Sequence, residues 1–154
     1  MIMNLNDVLT KQNFISQLLL NSGDKELSRE LKVKIMRIRM AYNKLRQQFD
    51  NDVQEFTKEL VPDELRELSS KENLTEEENE RYKELNDKVN SDYQVFLVQK
   101  GTESVELNVD DTFTMEEYID ILDINSGNDV EINGNKIKAT DFLEIVHDLF
   151  VKED

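Results

Sequence analysis

The sequence predicts an α-rich α+β fold: a long antiparallel helical hairpin, a short N-terminal helix and a small C-terminal strand–helix module. Three observations carry that prediction. An apolar stripe at helical spacing runs unbroken from Leu27 to Leu60. A second stripe of the same kind runs from Tyr82 to Phe96. After Gly101 the pattern changes to short alternating segments separated by polar turns. The expected division is a helical body over 1–101 and an α+β module over 102–154.

The first helix is expected over 6–21. Asn6 is its expected cap, and Val8, Ile15, Leu18 and Leu19 form its apolar face. Asn21-Ser22-Gly23 closes it and turns the chain back on the start of the next helix.

The long helix is expected from Asp24 to Leu60. Leu27, Leu31, Ile35, Ile38, Tyr42 and Leu45 begin a run, continued through Phe49 to Leu60, with steps of only three and four residues. That spacing lines one face of a helix and does not fit the two-residue period of a strand. Leu27, Ile38, Phe49 and Leu60 recur every eleven residues, a repeat that favours straight or slightly right-handed packing. Asp24 suits the N-cap, and Pro62 ends the helix because it lacks an amide hydrogen and restricts Val61. Such a helix is roughly 55 Å long and requires a partner for its stripe.

A short helix follows over 62–71, with Leu65 and Leu68 inward. Ser69 to Asn73 reads as the most flexible stretch. Thr75 and Glu78 then have capping-box spacing and open a second long helix over 76–99, the expected antiparallel partner of 42–60. Val105, Leu107 and Val109 alternate and predict a strand over 104–109. Thr114 and Glu117 repeat the capping-box spacing and open a helix over 115–123. Val130 to Asn133 and Asn135 to Lys138 read as strands joined by a tight Asn133-Gly134 turn. A last helix spans 141–151. Val105-Glu106-Leu107-Asn108 echoes Val130-Glu131-Ile132-Asn133, so two strand–helix units form a possible two-fold repeat.

Composition narrows the chemistry. The chain of 154 residues has no Cys, which leaves no disulfide, thiolate nucleophile or Cys-based zinc site. The N-terminus has no basic region followed by an apolar run, so no signal peptide is expected, and no run approaches the length of a membrane span. His147 is the single histidine and reads as structural. The polar stretch Asp123 to Gly134 has Asn128 at position six of a calcium loop, where Gly is needed, and Gly134 at position twelve, where Glu is needed. It reads as a turn. The carboxylates Glu76, Glu77, Glu78 and Glu80 belong to a solvated helix start, where nothing raises a carboxyl pKa for acid–base work. No phosphate-binding glycine loop occurs. No enzyme activity, cofactor or metal is expected.

The net charge of −15 is unevenly spread: residues 24–48 carry +5 and the remainder −20. The basic stripe can be a solvated helix face or a docking stripe for an acidic neighbour, such as another copy of the chain. Direct nucleic-acid binding is not expected, because the remaining charge opposes a phosphate backbone. The less securely covered part of the long helix is 24–41. Arg29, Lys32, Arg37 and Arg39 are the expected protein-contact residues there.

The order of Leu5-Asn6-Asp7-Val8-Leu9, the helix through Leu27, Ile38 and Leu45, and Glu84-Leu85-Asn86-Asp87 leading to Val105-Glu106-Leu107 resembles small uncharacterised proteins of tailed bacteriophages. Those proteins have a charged helical hairpin and a short strand–helix tail. The resemblance implies a setting, the virion or the host cytoplasm, and no catalytic residues. The expectation is therefore a non-enzymatic phage structural or assembly protein whose partners are other particle proteins or copies of itself. The alternative is an acidic, nucleic-acid-mimicking inhibitor of a host defence enzyme or another nucleic-acid-binding enzyme.

Overall fold

A computed structural model describes residues 1–20 and 26–152. The expected Asp24 cap and the Asn21-Ser22-Gly23 closure lie outside the described residues. The fold is α-rich α+β, as expected. The order is β1 (Ile2–Asn4), α1 (Leu5–Ile15), α2 (Arg29–Leu60), α3 (Asp63–Ser70), α4 (Glu76–Gly101), β2 (Ser104–Glu106), α5 (Met115–Ile124), β3 (Val130–Ile132), β4 (Asn135–Ile137) and α6 (Ala139–Phe150). The chain forms two compact units, Met1–Arg46 with Ser104–Asp154, and Gln47–Glu103. Residues 104–154 thus share a unit with the N-terminal segment, where the sequence suggested a module of their own over 102–154.

The reason lies in contacts that link distant parts of the first unit. β1, which the sequence reading missed, pairs antiparallel with β2, with Ile2 opposite Glu106 and Asn4 opposite Ser104. Phe14 of α1 stacks on Phe142 of α6 at 5.7 Å. Tyr42 of α2 meets Phe150 edge-on at 6.4 Å. Val8, Ile15, Ile35, Tyr42, Phe142 and Val146 have no exposed surface and form the centre of this core.

Local chemistry sets the boundaries. α1 is capped by Asn4, whose Oδ1 accepts from the Asp7 amide at 2.9 Å, so the helix begins before the expected Asn6. It ends at Ile15, short of the expected residue 21. α2 begins at Arg29 and not at Asp24: Ser28 Oγ accepts from the Leu31 amide at 3.3 Å and caps it, and Glu26 to Ser28 lie outside the helix. Leu27 is buried all the same, at 7% exposure. Both predicted capping boxes are present, at Thr75–Glu78 and Thr114–Glu117. The β3–β4 hairpin turns through Asn133 and Gly134, with φ of 53° and 78°, the left-handed pair that a tight two-residue turn requires. The sequence repeat does not extend to strand pairing, since β2 pairs with β1 and β3 with β4. The predicted strand over 104–109 is regular only to Glu106, although Leu107 remains buried and its amide donates to the Met1 carbonyl at 2.8 Å.

In the second unit, the C-terminal part of α2 runs antiparallel to α4. Phe56 stacks on Phe96 at 4.0 Å, and Lys100 Nζ donates to Asp52 Oδ2 at 2.8 Å. These contacts engage the C-terminal half of α4. The N-terminal half meets α3, where Arg81 forks onto both oxygens of Glu64 at 2.8 and 3.0 Å. Leu65 and Leu68 point inward, as expected, at 6% and 7% exposure. α3 continues through Ser69 and Ser70, whose hydroxyls bond back to the carbonyls of Leu65 and Glu67.

Candidate functional site

The N-terminal half of α2 has two different apolar faces. The inner stripe, Leu31, Ile35, Ile38 and Tyr42, is buried at 4%, 0%, 1% and 0% exposure. On the opposite side Val33, Met36 and Met40 are 39%, 50% and 67% exposed. Their steps of three and four residues place them in one line along the helix surface. Between Arg29 and Arg46 the helix has seven basic residues and one acid, Glu30. The outer face is therefore an apolar spine set among positive charges.

The four expected contact residues fall differently around this spine. Arg29 and Arg37 are exposed beside it, and neither makes an ion pair among the described residues. Lys32 is half-buried and 3.6 Å from Glu26. Arg39 is half-buried, and its Nε is shielded from solvent without a hydrogen-bond partner among the described residues. Lys34 turns inward: Nζ donates to Glu117 Oε1 at 2.7 Å and lies 5.2 Å from the Phe113 ring centroid. Burial pushes the Glu117 carboxyl up, but Lys34, together with the amide and hydroxyl of Thr114, outweighs it and holds the carboxyl below the ordinary range.

Sequence reasoning missed the anchor behind this face. Asp111 is a buried carboxylate, 1% exposed. Its Oδ2 accepts from Tyr42 Oη at 2.6 Å and from Lys11 Nζ at 2.9 Å. One carboxylate thus ties α1 and α2 to the segment leading into α5. Burial and the adjacent Asp111 push the Tyr42 hydroxyl far above its ordinary pKa. A phenol held this firmly protonated is a fixed donor and is unsuited to proton transfer. Asp110, the neighbour of Asp111, is exposed and shapes the local turn, accepting from the Thr112 amide and hydroxyl. The apolar neighbours Val109 and Phe113 are the only sequence signal of burial here. The exposed spine was a stronger signal that went unread: Val33, Met36 and Met40 fall off the inner stripe.

No known protein family, curated protein or solved structure matches the chain.

Elsewhere the polar clusters satisfy themselves. A cavity of about 500 Å³ is lined by Lys34, Asp110, Thr112, Phe113, Thr114 and Lys152. Of its two lysines Lys34 is held by Glu117, and the Thr114 amide at the adjacent start of α5 donates to Glu117. His147 packs edge-on to Tyr118 at 5.1 Å. In the loop before β3, Asn125 Oδ1 accepts from the Gly127 amide at 2.9 Å, so the loop closes on its own backbone. Among the described residues no group of three or more His, Asp or Glu side chains is placed to hold a metal ion, and no helix is long and apolar enough to cross a membrane.

Proposed function

We propose that this protein is a non-enzymatic structural or assembly component, set in a phage particle or its infected host, that works through protein–protein contacts made by the outer face of α2. The observation that carries the reading is the exposure of Val33, Met36 and Met40 beside Arg29 and Arg37. Met and Arg are enriched at protein interfaces, and flexible Met side chains adapt to a partner's surface. A helix that has already buried its inner stripe has no intramolecular need for a second apolar line. The face is rigid, because Tyr42 and Lys34 fix the helix to the core from behind. The test is mass spectrometry of proteins that co-purify with the chain in its native setting. Particle proteins, or cross-links from Lys32 or Lys44 to a partner, support the reading. Recovery of the chain alone argues against it.

The acidic outer side of α4 favours a second reading. Glu76, Glu77, Glu80, Glu84 and Asp87 are all exposed there. Such a surface suits an inhibitor that imitates nucleic acid and occupies a basic enzyme. That reading predicts salt-sensitive binding to a basic host protein, lost on charge reversal in α4 and unaffected by changes in α2.

A further inference from the structure

We infer that the outer face of α2 docks on the acidic outer face of α4 from a second copy of this chain. The inference rests on the reading of α2 as a docking face and names its partner.

The two faces have matching chemistry. On α2, the spine of Val33, Met36 and Met40 is flanked by Arg29, Arg37 and Lys44, which are exposed and make no ion pair among the described residues. On α4, Glu76, Glu80, Asp87 and Val98 lie along one exposed line, with Val95 at its edge; Lys83 also falls on this line, and the three acids outnumber it. The spacings of four, seven and eleven residues from Glu76 to Val98 are those of a single helix face. Val95 and Val98 are 53% and 68% exposed. Glu76, Glu80 and Asp87 also make no ion pair among the described residues. Each helix thus offers an apolar stretch beside unpaired charge, and the charges are opposite. A nucleic acid would meet the apolar spine instead of a polar surface, and the net charge of −15 opposes any polyanion. A second copy satisfies both features at once.

The contact joins two different patches, so it is heterologous and extends until a ring closes or the chain of subunits stops growing. This gives a complementation test with the full-length chain. Sedimentation velocity is measured on the wild type, on Arg29→Glu/Arg37→Glu and on Glu80→Lys/Asp87→Lys. All four substitutions are on exposed positions, and circular dichroism checks that the helices persist. The wild type is expected to self-associate, with affinity falling roughly tenfold or more between 50 and 500 mM salt. Each variant alone is expected to be monomeric. Mixed in equal amounts they should associate again, because the intact α2 face of one variant meets the intact α4 face of the other and the two charge-reversed faces also attract; a mixture in which both remain monomeric overturns the inference. A wild type that remains monomeric at low salt and high concentration overturns the inference. So does an α4 variant that associates like the wild type, or an α2 face that binds a DNA duplex or anionic vesicles in preference to a second copy. A monomeric chain whose α2 face still cross-links to a particle protein overturns the second-copy inference alone and leaves the docking reading standing.

Discussion

Tyr42→Phe removes one oxygen from the centre of the first unit and isolates the anchor that fixes α2. The ring itself is fully buried and packs edge-on to Phe150, so the substitution leaves the apolar packing in place. What is lost is a 2.6 Å hydrogen bond to the Asp111 carboxylate, which keeps Lys11 at 2.9 Å. A hydrogen bond to a charged group contributes about 1.5–3 kcal/mol. At about 2–4 °C per kcal/mol for a chain of this size, the melting temperature should fall by roughly 3–12 °C. The pH dependence adds a second signature. The folded-state pKa of Tyr42 lies above its ordinary value of 10.0, so its contribution is complete below pH 10 and is lost as the pH rises through the folded value. Urea unfolding of wild type and Tyr42→Phe at pH 7 and above pH 10 measures both effects. The gap between the two proteins should narrow at high pH. A destabilisation under about 0.5 kcal/mol at pH 7, or a gap that does not change with pH, would refute the anchor.

Three further outcomes follow from the geometry. Asp111→Ala leaves both the Lys11 ammonium and the Tyr42 hydroxyl without their acceptor, and should cost about 3–5 kcal/mol in urea unfolding, more than Tyr42→Phe. Glu117 has a depressed folded-state pKa, so its contribution is present above the ordinary carboxylate pKa and is lost as the pH falls through the folded value. Acid unfolding of Glu117→Gln should lack that component, and a curve that parallels the wild type would contradict the Lys34 pairing. Gly134→Ala places a side chain at φ 78° with open space around it, so the cost is backbone strain alone, about 1–2 kcal/mol by thermal melt.

What the sequence made legible was local. Thr75–Glu78 and Thr114–Glu117 are capping boxes because one helical turn brings the two side chains to each other's amides, which needs no knowledge of the rest of the fold. Asn133-Gly134 is readable for the same reason: few residue pairs accept two positive φ angles in succession. The α2 stripe was clear over more than thirty residues, and the inner positions Leu31, Ile35 and Ile38 are buried as the spacing implied. Its start was misplaced because Ser28 also caps well, and Leu27 keeps the stripe's rhythm outside the helix. β1 is three residues long, too short to show alternation, and its partner lies about a hundred residues away. The burial of Asp111 depends on Lys11 and Tyr42, which no local pattern connects to it.

The sequence points to 24–41 of the long helix because that part is basic and less securely covered, and the structure separates its charges by environment. Arg29 and Arg37 face outward, Lys32 is held near Glu26, and the Arg39 Nε is enclosed. Charge does not mark Val33, Met36 and Met40, which lie on the side of the helix opposite the stronger inner line.

The central claim is that this outer face is where the protein meets its partner. Quantitative affinity mass spectrometry from the native setting, comparing wild type with Arg37→Glu/Met40→Glu, tests it most directly. Both positions are exposed, so the two proteins should melt within about 0.5 kcal/mol of each other. The account predicts a defined partner, a second copy or a particle protein, enriched by the wild type and lost with the variant. Equal enrichment of the same partner by both proteins would contradict it.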